Sequence, residues 1–260
     1  MEIPFFLVDT FSSRPFTGAT TAVLFPPAPP EDGTHAPIVA ELGAHDGAYV
    51  FPRDGAYRIR WFDRHGELSL CTHAAIAAAH VIVTTMDRTT EKVAFSSPGG
   101  PIDVVPQGEH LVTDLPLLAP GPCEPPPALA RALRVPPVEV LRAGKYVVIY
   151  ADETDLRVMA PTPAELAKLD APGIIATAPG KEHDYVCRTF AIANGRVEEE
   201  QVSASAQSRL VPYWAKRLGK TALSAAQLSP RHAELVCEEF GGRVHVAARA
   251  RCVAKGTYFA

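Results

Sequence analysis

Leu70-Cys71-Thr72-His73-Ala74-Ala75 and Val202-Ser203-Ala204-Ser205-Ala206 decide how this chain is read, because the second stretch repeats the first in kind. Each is a short polar opening ahead of a helix. Ser205 lies 132 residues beyond His73 (205 − 73), and Ser229-Pro230 lies the same 132 beyond Ser97-Pro98 (229 − 97). A shared offset across two landmarks marks a duplicated unit. Two similar halves are expected to face one another across a cleft. Two helix N-termini entering it bring free amides and positive dipole ends. The expected ligand is a small anionic substrate held between half-sites.

Composition narrows the class. The chain has 260 residues, enough for two units of about 130. It is 47% hydrophobic and 21% charged, with net charge −4, which gives no reason to expect nucleic acid. The longest apolar run, Ala74 to Val83, is broken by His80 and falls short of the ~20 residues a membrane span needs. The start of the chain is acidic and lacks the basic region of a signal peptide. The five cysteines (71, 123, 187, 237, 252) are scattered with no CxxC, which argues against a disulfide framework and a zinc site. A reducing cytoplasm is expected. No GxGxxG, P-loop, GxSxG or HxxxH spacing is present, so neither a metal nor a cofactor is expected.

Along the chain, Glu2–Val8, Gly18–Phe25, Ala48–Pro52, Ala56–Asp63, Glu67–Leu70, Lys92–Phe95, Pro101–Val105 and His110–Leu115 read as strands. Pro26–Pro30 break the second, and Gly55 and His65-Gly66 supply turns. Pro37–Gly43 reads as a helix, and Thr72–Thr85, apolar nearly all round, as a buried one. Proline-dense Ala119–Pro127 is the best boundary. Beyond it, Tyr146–Tyr150, Leu156–Met159, Gly173–Thr177, Tyr185–Ala191, Gln201–Val202 and four later segments read as strands. Pro127–Leu133, Thr162–Leu169 and Ala206–Leu218 read as helices. Thr162 and Glu165 are spaced as a capping box, and Gly219 stops the last helix. The expected class is α+β, two pseudo-symmetric domains, each a curled sheet or barrel around a central helix. Their expected spans are 1–118 with 253–260, and 119–252.

Few residues here suit chemistry. His73, in the first turn of a helix, suits a neutral imidazole or a bound anion; otherwise it is a capping or core histidine. Asp46, in His45-Asp46-Gly47, can present a carboxylate from a loop, or be a plain turn residue. Glu198-Glu199-Glu200 is an acidic run whose last member stands five residues before Ser205. Cys71 precedes His73, but its counterpart 132 residues on is Ser203, a poor base, so a two-thiol racemase is not expected.

Taken together, these landmarks resemble the PhzF-like branch of the diaminopimelate epimerase fold. The matching stretches include Val8-Asp9-Thr10-Phe11, Pro15-Phe16-Thr17-Gly18, Asp46-Gly47-Ala48-Tyr49-Val50, Arg60-Trp61-Phe62, Leu70-Cys71-Thr72-His73-Ala74, Ser203-Ala204-Ser205-Ala206 and Pro212-Tyr213-Trp214-Ala215. They span nearly the whole chain. The resemblance implies two similar domains with the active site between them, no cofactor, and a homodimer. It implies proton-shift isomerisation, as in the phenazine pathway or in antibiotic pathways that build alkylproline precursors.

Carried over by position, the family's catalytic glutamate falls on Asp46, its Gly-His on Thr72-His73, and its Asp-Pro-Val-Thr-Gly-Ser on Glu200-Gln201-Val202-Ser203-Ala204-Ser205. The two acids have exchanged lengths. Asp46, His73 and Glu200 are thus the expected catalytic residues. Gly18, Thr20, Thr72, Ser203, Ala204, Ser205 and Gln207 are the expected substrate-binding residues. The family's Gly-Asn-Pro-Ala-Ala-Val is here Gly18-Ala19-Thr20-Thr21-Ala22-Val23, and Gln207 stands where a second histidine is common. Asp46 is expected to have its pKa raised by burial. An amino-acid epimerase and a non-catalytic binding protein are the alternatives.

Overall fold

The computed structural model describes residues 1–29, 31, 33–53 and 56–260. Gly55 and the Pro30 end of the proline run lie outside the described residues. The chain forms two compact units, residues 1–114 with 247–260, and residues 115–246. The sequence reading had set these limits at 118/119 and 252/253.

In the first unit the strands are Glu2–Thr10 (β1), Ala19–Leu24 (β2), Asp46–Arg53 (β3), Ala56–Asp63 (β4), Gly66–Leu68 (β5), Val93–Ser97 (β6), Gly100–Gln107 (β7) and His110–Pro116 (β8). Helix His35–Glu41 (α1) precedes β3, and Thr72–Val81 (α2) lies between β5 and β6, its end widening into a π turn over Ile82–Met86. In the second unit come Gly121–Pro122 (β9), Glu139–Ala143 (β10), Lys145–Ile149 (β11), Gly173–Pro179 (β12), Tyr185–Ala193 (β13), Arg196–Glu199 (β14), Ala222–Gln227 (β15), Ala233–Phe240 (β16) and Arg243–Ala248 (β17). Its helices are Pro127–Ala132 (α3), Glu153–Val158 (α4), Pro163–Leu166 (α5) and Ala204–Leu218 (α6). The last strand, Ala250–Phe259 (β18), pairs antiparallel with β1.

The pairing bears out the duplication. In the first unit β1/β2 is antiparallel, β2/β3 parallel, β3/β4 and β4/β5 antiparallel, β4/β6 parallel across α2, and β6/β7 antiparallel. In the second, β10/β11, β11/β12, β12/β13, β13/β14, β13/β15 across α6, and β15/β16 repeat that series in the same senses. The helices begin alike as well. Cys71 and Ser203 are their N-caps, with φ/ψ of −142°/91° and −127°/91°.

Each central helix is held by burial. In α2, Ala74 to Ala79 are all buried, and the helix packs against β1, β2, β3, β7 and β18. The alanines keep helix propensity high and allow strands to approach from several sides. In α6, Trp214 is buried, stacks parallel on Tyr185 at 5.7 Å, and donates to Thr177 Oγ1 at 3.0 Å. Gly219 ends α6 in the left-handed conformation, φ 68°.

Several sequence expectations need correction. Residues 153–158 form helix α4 and not a strand, because Asp152 accepts from the Thr154 amide while Glu153 and Asp155 sit at the positive end of the dipole. The helix expected over Thr162–Leu169 is only four residues long, and Thr162 makes no side-chain cap. Glu165 instead pairs with Arg131 and Lys168. Gln201–Val202 are not a strand, since the preceding β14 stops at Glu199.

Gly18 is a backbone requirement. Its φ is +74°, and a Cβ there would lie 2.0 Å from Thr10 O. Gly43 has φ +67° but open space around it. We therefore expect Gly43→Ala to cost about 1 kcal/mol, for the left-handed backbone alone, and Gly18→Ala at least about 3 kcal/mol, strain and clash together. Equal losses in urea unfolding would contradict the clash.

Candidate active site

Parallel pairing of β2 and β3 sets Thr21 directly beside Asp46, the first residue of β3. His73 arrives from the first turn of α2. Its Nε2 lies 2.5 Å from Asp46 Oδ2, and Thr21 Oγ1 donates to Asp46 Oδ1 at 2.7 Å. Each carboxylate oxygen thus has one partner. The Asp46 side chain is 2% exposed and that of His73 15%. Cys71 Sγ lies 3.5 Å from His73 Nε2 and 3.7 Å from Nδ1, against the ring and not in line with one nitrogen.

Two opposing effects set the charge of this pair. Burial pushes the Asp46 carboxyl up, but the His73 charge and hydrogen bond, with Thr21, outweigh it, and the net direction is down from 3.8. Burial likewise pushes His73 down, yet Asp46 carries it well above 6.5. The expected rise at Asp46 is therefore corrected: the neighbour wins over desolvation. Both shifts favour the ion pair of a carboxylate and an imidazolium. Burial pushes the Cys71 thiol up, which favours the protonated thiol over the reactive thiolate.

Asp46, Cys71 and His73 offer ligand-type atoms within 4.8 Å of one another. A tetrahedral ion bound at ~2.0 Å would hold N and O donors ~3.3 Å apart. The 2.5 Å Nε2–Oδ2 contact is a direct hydrogen bond with no room for a cation between.

The second unit gathers its own set at the start of α6. The Ser203 amide donates to Gln227 Oε1 at 2.8 Å, and Gln227 Nε2 holds the Glu200 carbonyl at 2.6 Å and Thr189 Oγ1 at 3.0 Å. This crosslink fixes the turn between β14 and α6. The Glu200 carboxylate is partly exposed and faces Lys145 Nζ at 3.4 Å. Ser203 and Ser205 hydroxyls lie 3.4 Å apart, and no side-chain bond caps α6. Gln207 is buried, accepts from Tyr185 OH at 2.6 Å and donates to Ser203 O at 3.1 Å. Both ends of its amide are held inside its own unit.

The structure thus brings Asp46, His73 and Cys71 together, and separately Glu200, Ser203, Ala204, Ser205 and Gln207. Thr72 opens α2 beside His73 with a buried hydroxyl that has no hydrogen-bond partner among the described residues. Thr20 does not join Asp46. Alternation along β2 turns it to the opposite face from Thr21, where it bonds Asp9 Oδ1 at 2.5 Å. Sequence reasoning missed Thr21. Its signal was present in the paired threonines of Gly18–Val23, but the partner of each depends on a strand register that spacing does not show.

A family model described as phenazine biosynthesis-like protein (PhzC-PhzF) matches residues 8–256. The chain belongs to the phenazine biosynthesis-like family. It is similar to two proteins of Pseudomonas aeruginosa, each named an uncharacterised isomerase. One is 40% identical over 98% of both chains, the other 37% identical over 99% of both. A crystal structure of an Enterococcus faecalis PhzF-family protein superposes with TM-score 0.94 at 32% identity, over the full length of both chains. The fold is therefore that of the phenazine biosynthesis-like and epimerase proteins: α+β, a duplicated sheet-and-helix unit.

Charge pairing predicts a pH window. Asp46 contributes stability above 3.8 that is lost as pH falls through its lower folded value. His73 contributes stability below 6.5 that is lost as pH rises through its higher folded value. The stability advantage of the native chain over His73→Gln should be greatest between these limits and decline on both sides. A pH-independent difference in urea unfolding would show that the pair is uncharged.

Proposed function

We propose that this isomerase moves one proton, and with it a double bond, along a small conjugated carboxylic or amino acid. Asp46 is the proton carrier. The carboxylate takes a proton from one carbon, the C–H electron pair enters the conjugated system, and the same proton returns to a remote carbon. No electrons are gained or lost, so the step needs no redox partner. His73 donates to the substrate's polar group or relays the proton. The α2 N-terminus, which no side chain caps, favours the negative charge of the dienolate-like intermediate. Glu200, Ser203, Ala204 and Ser205 are assigned to hydrogen-bonding the substrate.

The observation that carries this reading is a buried carboxylate with a histidine nitrogen 2.5 Å away. A carboxylate base must be unprotonated before it can accept, and the His73 charge favours that form. The asymmetry of the two halves also supports one carrier over a matched pair of bases. Where β3 opens with Asp46, the equivalent β12 opens with Gly173, and where α2 has Cys71 at its cap, α6 has Ser203. The substrate class we assign is the cyclic conjugated acid of a biosynthetic pathway, of alkylproline-precursor or phenazine-precursor type.

Proton NMR in D2O over a panel of such acids tests this. Deuterium should enter at a carbon remote from the one deprotonated. Asp46→Asn, which keeps shape but removes the base, should lower the rate by roughly 10²- to 10⁴-fold. Exchange confined to the α-carbon would replace this reading with an epimerase. Binding without exchange would replace it with a binding protein.

A further inference from the structure

Asp46 opens β3, and its carboxylate is free to rotate about its last torsion unless something holds it. Thr21 supplies that hold. It is Asp46's register partner on the neighbouring parallel strand, so the two side chains stand side by side on one face. Thr21 is fully buried, and its hydroxyl donates to Oδ1 at 2.7 Å.

We propose that Thr21 is a positioning residue for Asp46. The proposal rests on the reading of Asp46 as proton carrier. Thr21 has one O–H to give, and by fixing Oδ1 it orients the carboxylate plane, leaving Oδ2 toward His73. It also helps keep the carboxylate ionised, since its hydrogen bond lowers the pKa against burial. The other groups around Asp46 are accounted for. His73 and Cys71 face it from the start of α2, and His45 precedes it with a smaller favourable charge. Asp63, its register partner on β4, is occupied by the amides of His65 and Gly66 at 2.7 and 2.9 Å.

The test uses the full chain with ¹³C-labelled aspartate and the deuterium-exchange assay. Thr21→Val keeps the shape but removes the hydroxyl. It should raise the Asp46 titration and lower kcat by on the order of 10- to 100-fold with KM little changed. Thr21→Ser should titrate as the native chain does and recover most of the turnover. An unshifted Asp46 titration in Thr21→Val, or a serine variant as impaired as valine, would overturn the positioning role. If no compound exchanges even with the native chain, the isomerase reading fails, while the carboxylate titration still decides Thr21.

Discussion

The proposed chemistry depends on a carboxylate held out of water beside an imidazole. Removing Asp46 from solvent favours its neutral form, and removing His73 does the same for the ring. The α2 N-terminus adds a further cost, because an imidazolium at the positive end of a helix dipole is disfavoured. The 2.5 Å separation and a hydrogen bond from Thr21 favour the charged pair against these effects. Such an arrangement holds only if the backbone is rigid. The parallel register of β2 and β3 fixes Thr21 against Asp46, and the buried alanines of α2 fix the height of His73. The fold here serves as a clamp on three side chains.

The duplicated architecture explains why the clamp exists once. Both halves run through the same series of strand pairings and cap their central helices with the same backbone geometry. They have diverged in what they place at equivalent points. One half carries acid, imidazole and thiol. The other carries hydroxyls, a partly exposed Glu200 paired with Lys145, and a glutamine crosslink that ties the helix start to β13. A pair of opposed identical bases is the natural product of a symmetric duplication.

Much of this was legible before any coordinates. The 132-residue offset between His73 and Ser205 named the duplication, and the caps at Cys71 and Ser203 match it residue for residue. Asp46 and His73 could be marked because their residue types stood at a loop end and a helix start. What failed did so for physical reasons. Leu156–Met159 looked apolar enough for a strand, but the acidic turn at Asp152, Glu153 and Asp155 nucleates a helix. Burial at Asp46 was foreseen, but its consequence was not, since the sign of the pKa shift depends on a neighbour 27 residues away in sequence. Thr21 was passed over for Thr20 because only strand pairing shows which of two adjacent threonines faces the acid.

The most direct measurement is the ¹⁵N NMR spectrum of the His73 imidazole at pH 7.5 in the unliganded protein, with His73→Gln used to assign its signals. The account predicts both ring nitrogens protonated, the imidazolium that a buried ionised Asp46 demands. One protonated and one bare nitrogen would mean that His73 is neutral, which contradicts the ion pair on which the account rests.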